Sequence, residues 1–164
     1  MISIDKYKHL IVDLSTHIVV TLIVSIVIYK IYLSFTLVAL VVVGGILIDV
    51  DHFIDYFLYV GLKFNLKKFA LIDFLKSGKV YLFFHSWELI VFIYIIGSLL
   101  GVGKYSLALS SGMLGHLLVD SIFQKTFLPY SLFYRIWYNF DANKILPCFK
   151  KKMLNEKGEK CQQK

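Results

Sequence analysis

The sequence predicts an all-α, polytopic membrane protein, with four transmembrane helices in two hairpins and interfacial helices beside them. Three observations predict it. Hydrophobic residues make up 58% of the chain and mean hydropathy is +0.70, against about 45–50% apolar residues in an ordinary soluble domain. The apolar residues fall into runs of roughly 20, the length of one bilayer crossing. The basic residues stand in the gaps between those runs.

The runs follow in order. Residues 10–29, LIVDLSTHIVVTLIVSIVIY, make the first crossing, closed by Lys30. Lys6 and Lys8 precede it and no small-residue cleavage site follows, so it is expected as an uncleaved span. Residues 33–51 make a second crossing, 80–100 a third and 105–123 a fourth. The connections at 30–34 and 101–104 are short, which predicts helical hairpins. The alternating pattern of a membrane barrel is absent. Two further segments are expected at the membrane surface. In PYSLFYRIWYNF (129–140), Ser131, Arg135 and Asn139 recur every four residues opposite the aromatics at 130, 133, 134, 137 and 138. That is an amphipathic helix, read either as interfacial or as a cap over the bundle. Residues 53–62 are interfacial or extend the second crossing. The expected division is a membrane domain at 1–128, an interfacial aromatic helix at 129–147 and a flexible basic tail at 148–164.

Charge sets the orientation. Of the 18 Lys and Arg residues, all but Lys30 and Lys104 fall on one side of this topology. The positive-inside rule places both termini and the 52–79 loop in the cytoplasm, with the chain in the cell (inner or plasma) membrane. The net charge of +7 is therefore an orientation signal, and no nucleic-acid partner is expected. Cys148 and Cys161 lie in the basic tail without a CxxC and read as reduced thiols. Cysteines introduced at Ser34 and Val102 in a Cys-free background should label from outside, and one at Ser77 should not. Outside labelling at Ser77 would reverse the orientation.

The polar residues then converge. At ~1.5 Å per helical residue, His17, His85, Glu88, His116 and Asp120 fall at similar depth under the cytoplasmic leaflet, where Asp49, Asp51 and His52 end the second crossing. His116 and Asp120 are spaced i, i+4, as are Asp13 and His17. Asp49 and His52 are spaced i, i+3, as are His85 and Glu88. Such pairs share a helix face. Asp13 and Asp55 alone read as interfacial carboxylates, and a single intramembrane His as a packing residue. The set reads otherwise, because each intramembrane ionisable residue costs roughly 2.5–3.5 kcal/mol on insertion scales. Small residues in SSGMLG (110–115) allow neighbouring helices close enough for a compact site. His and carboxylate donors without Cys suit Zn²⁺, Mn²⁺ or Fe, as one ion, two, or more. A two-metal centre suits phosphoester hydrolysis.

Thr16-His17, D-x-D-H at 49–52, His85-Ser86 and G-x-x-x-H-x-x-x-D at 112–120, taken in order, resemble the family of LexA-binding, inner-membrane-associated metal-dependent hydrolases. The resemblance covers roughly residues 9–125. That family is similar to zinc-dependent phospholipase C and the P1-type nucleases. The resemblance implies His17, Asp51 or Asp49, His52, His85, His116 and Asp120 as ligands. The sequence departs from the pattern at Ile48, where the family has Pro. It departs again before His85, where Tyr81, Leu82, Phe83 and Phe84 replace a stretch containing another His; Glu88 is a candidate substitute. The expected function is a membrane-bound, metal-dependent hydrolase of a phosphoester, on a lipid headgroup or lipid-linked phosphate, with zinc as the first candidate ion. Asp51 or Glu88 would act as bridging ligand or general base. The rival readings are a metal or proton carrier using the same cluster, and a structural or regulatory membrane protein. Oligomeric state is not legible.

Overall fold

The computed structural model describes residues 4–63 and 78–146. The rest of the 52–79 loop and the tail from 147 on, with Cys148 and Cys161, lie outside the described residues. The elements are α1 (Ile4–Tyr32), α2 (Phe35–Ile46), a 3-10 turn (Leu47–Asp49), α3 (Val50–Val60), α4 (Trp87–Leu99), α5 (Gly103–Gln124), a second 3-10 turn (Leu128–Tyr130), α6 (Leu132–Trp137) and α7 (Ala142–Ile145). Among the described residues the regular structure is helical, apart from one isolated bridge between Lys79 and Asp141.

Two of the helices, α1 and α5, turn large apolar residues outward and bury polar ones, against the pattern of a soluble helix. On α1, Ile11, Leu14, Ile18, Leu22 and Ile26 are exposed, while His17, Thr21 and Ser25 are buried. On α5, Leu114, Leu118 and Ile122 are exposed, while Ser106, Ser110 and His116 are buried. So large an exposed apolar surface is stable only against lipid or another protein. Three stretches are long and apolar enough to cross a bilayer: Ile11–Tyr32, Phe35–Val60 and Gly103–Phe123. The second includes α3. By length and composition this stretch takes in residues 53–60 as well, and Asp49 falls inside it rather than at its end.

The expected third crossing is shorter than the sequence suggests. Its helix starts at Trp87 and has 13 residues, about 20 Å at ~1.5 Å per residue. The preceding YLFF segment is apolar, but its backbone bonds to distant chain instead of to itself. Val80 N donates to Phe140 O at 3.0 Å and Ala142 N to Gly78 O at 2.9 Å. Tyr81 N donates to Asp55 Oδ2 at 3.0 Å. His85 therefore precedes the helix and does not share a helical face with Glu88, contrary to the i, i+3 reading. Ser86, expected inside a helix, is the residue before its first turn. Thr16 does bond back, with Oγ1 donating to Val12 O at 2.8 Å.

The chain forms two compact units that interleave in sequence: residues 1–50 with 84–126, and residues 51–83 with 127–164. In the first, α1, α2, α4 and α5 pack through small residues. A Cβ built on Gly44 would collide with Leu109 O, one on Gly112 with Val41 O, and one on Gly97 with the Ser106 side chain. Backbones that close leave room only for glycine. Beside these contacts, Ile28, Leu37, Val41 and Ala108 form a small apolar core.

In the second unit, Tyr56, Val80, Ala142 and Ile145 form the core, with Tyr134 and Tyr138 packed on it. The expected amphipathic helix over 129–140 is corrected here. α6 is only six residues long, and Arg135, expected on the wet face, is fully buried. Its Nη1 donates to Leu82 O, so the guanidinium serves a carbonyl that no helix would otherwise satisfy. Ser131 caps α6, its Oγ accepting from Tyr134 N at 3.2 Å. Asp141 caps α7, and the hydrogen bond from Asn143 N at 2.9 Å holds its carboxyl below the usual carboxylate range.

Candidate metal centre

The first unit gathers donors from four segments. His17 comes from α1, where it is buried along with Thr21 and Ser25. Asp49 ends the 3-10 turn after α2. His85 lies in the non-helical chain before α4. His116 and Asp120 share one face of α5, one turn apart.

The separations are specific. His85 Nε2 stands 3.2 Å from Asp49 Oδ1 and 3.6 Å from Asp120 Oδ2. His116 Nε2 stands 3.3 Å from Asp49 Oδ1 and 3.6 Å from Asp120 Oδ2. Neighbouring ligands about 2.0–2.2 Å from a tetrahedral ion stand about 3.3–3.6 Å from one another. These four His–carboxylate separations therefore match the edges around one ion. The other oxygen of Asp120 turns to His17, with Oδ1 3.1 Å from Nε2. Asp13 Oδ1 reaches the same nitrogen at 3.6 Å. His17, His116 and Asp120 also offer donor atoms within 4.8 Å of one another. The rings of His17 and His116 stack with centroids 3.9 Å apart.

The tautomer of His116 follows from its neighbour. Its Nδ1 lies 2.8 Å from Gly45 O. A carbonyl oxygen only accepts, so Nδ1 carries the hydrogen. In the neutral ring Nε2 is then a lone pair, buried and without a hydrogen-bond partner. It faces two carboxylate oxygens, which repels unless a cation or a further proton lies between them. Orientation of a histidine by a backbone carbonyl on its far nitrogen is the usual second shell of a metal-bound imidazole. One divalent ion would also neutralise Asp49 and Asp120 in a low-dielectric setting, where two bare carboxylates are costly. These residues could hold a metal ion. Asp49 is the accessible member, its side chain 44% exposed, against 12% for Asp120 and 1% for His85 and His116.

Of the expected ligands, the structure thus brings together His17, Asp49, His85, His116 and Asp120 in one unit. Asp51 and His52 open α3 in the other unit, where Asp51 is buried. Glu88 stands in the first turn of α4. The Asp13–His17 spacing of i, i+4 corresponds to a contact in the structure. One participant escapes sequence reading. Gly45 contributes a carbonyl, and a backbone atom leaves no residue-type signal. No family model, curated protein or solved structure matches this chain.

Proposed function

We propose that this chain is a membrane-bound, metal-dependent hydrolase acting on a phosphoester of a lipid headgroup or lipid-linked phosphate at the cytoplasmic leaflet. The observation that carries the reading is the set of His85, His116, Asp49 and Asp120 contacts at 3.2–3.6 Å, in a unit whose outer surface suits lipid. A divalent ion held there would supply hydroxide near neutral pH and stabilise the negative oxygens that develop at phosphorus. The protein's share is arrangement. Gly45 O fixes the His116 ring, Asp49 gives the accessible edge, and Asp120 ties the donor set to His17. Zn²⁺ is the preferred ion, with Mn²⁺ or Fe next, because the donors are imidazole and carboxylate. Asp51 and Glu88 enter this reading from the sequence alone, as further ligands or as the general base.

Elemental analysis of the purified protein, with hydrolysis of a lipid phosphoester followed through chelation and metal restoration, tests it. The expected result is bound divalent metal and an activity that leaves and returns with it. Folded protein free of metal after purification in metal-replete buffer would overturn the reading. One observation favours a second reading, a cation or proton carrier. Beyond His17, the inner face of α1 continues through buried Thr21 and Ser25. Metal or proton flux into proteoliposomes without hydrolysis would select it.

A further inference from the structure

The second unit turns outward a set of large apolar side chains that its core does not use. On α6, Phe133, Ile136 and Trp137 are exposed to 72%, 53% and 84%. Their i, i+3, i+4 spacing places them on one face. Just before α6, Phe127 and Leu128 are also exposed. The inward set is different: Arg135 and Tyr130 are buried, and Tyr134 and Tyr138 pack on the Tyr56 and Val80 core. The sequence-predicted aromatic face therefore splits, with the tyrosines inside and phenylalanine, isoleucine and tryptophan outside.

This outward face is held in place. Phe140 N donates to Arg135 O at 2.8 Å, and Val80 N to Phe140 O at 3.0 Å. Asn139 and Phe140 adopt φ of 50° and 56°, a left-handed turn that ends α6 and sends the chain back under it. The inner side of α6 is fastened through Arg135 to Leu82 O. The exposed face is the outside of a bonded element rather than a frayed end.

Two features identify what covers it. Phe127 follows Phe123, the last residue of a bilayer-length stretch, by four positions. Four residues reach at most about 14 Å when fully extended, so Phe127 is tethered near the end of that stretch. Charge points the same way. Lys144 is exposed, and the sequence after it carries Lys150, Lys151, Lys152, Lys157, Lys160 and Lys164 against Glu156 and Glu159. Tryptophan and phenylalanine followed in the sequence by clustered lysines suit an anionic headgroup layer. We infer that the Phe133, Ile136 and Trp137 face docks into the headgroup layer of an anionic leaflet. The inference does not depend on the metal centre.

The chain has two tryptophans, Trp87 and Trp137, so Trp87→Phe makes Trp137 the sole emitter. The full chain is placed in nanodiscs of phosphatidylcholine with or without phosphatidylglycerol, doped with a lipid bearing a nitroxide near the headgroup. Trp137 emission should be blue-shifted, lose most of its intensity to the nitroxide and resist aqueous iodide, with stronger nitroxide quenching when phosphatidylglycerol is present. Iodide quenching without nitroxide quenching would overturn the inference, because the face would be in water. Protection from both quenchers would also overturn it, because the face would be covered by a second copy or another protein. If Trp87→Phe fails to insert, a spin label at Ile136→Cys, with Cys148 and Cys161 changed to Ser, gives the same decision. Oxygen accessibility supports the inference, and accessibility to an aqueous nickel chelate overturns it.

Discussion

Under the proposed function, His116→Ala is expected to abolish metal binding while leaving the protein inserted in the membrane. The side chain joins four parts of the centre. Its Nε2 faces Asp49 and Asp120, its Nδ1 donates to Gly45 O, and its ring stacks on His17. Truncation removes a donor and leaves two carboxylates with less compensation. The loss in metal affinity should exceed the ~10–100-fold typical of removing a second-shell partner, and any phosphoesterase activity should fall with it. Insertion should survive, because losing an intramembrane His does not disfavour insertion. His116→Gln separates chemistry from packing. It keeps much of the volume and an amide able to donate to Gly45 O, but it is a poor zinc ligand. If the cluster only locks helices together, Gln should be tolerated and Ala should lower thermal stability. If it binds metal, both variants should lose metal. Full metal content and activity in His116→Gln would remove His116 from the ligand set.

The parts legible in the sequence were those written in side-chain pattern. The apolar run of α1 and the His116–Asp120 pair needed only periodicity. The gathering of His17, Asp49, His85, His116 and Asp120 followed from depth along helices of known rise, and survived even though His85 lies outside a helix. What failed was written in the backbone. Tyr81-Leu82-Phe83-Phe84 has the composition of a membrane helix, so nothing local showed that this stretch would bond to Asp55 and Arg135. Arg135 occupied a plausible wet position every fourth residue, and its burial follows from a long-range need, the Leu82 carbonyl. Residues 53–62 were ambiguous because a surface helix and the end of a crossing have similar composition.

The close approach of α2 and α5 gives a second large effect, and it links stability to the site. Gly112→Ala is expected to destabilise the protein and release metal together. A Cβ at Gly112 would collide with Val41 O and lie 2.9 Å from Gly45 N. Both are backbone atoms, so no rotamer change relieves the contact and the helices must part. Overpacking of this kind costs typically 1–3 kcal/mol, and here it pushes on Gly45, whose carbonyl orients His116. Gly115→Ala is the matched comparison. Its Cβ would meet Val20 Cγ1 at 3.2 Å, a side-chain methyl that can yield by a few tenths of an ångström. Both substitutions gain about 0.8–1.0 kcal/mol in helix propensity, so that term cancels between them. Gly115→Ala should therefore remain near neutral and keep its metal, while Gly112→Ala melts earlier in detergent and loses metal on dialysis. Equal melting and equal metal content in the two variants would mean that α2 and α5 do not touch at Gly112. The orientation of His116 by Gly45 would then lose its structural basis.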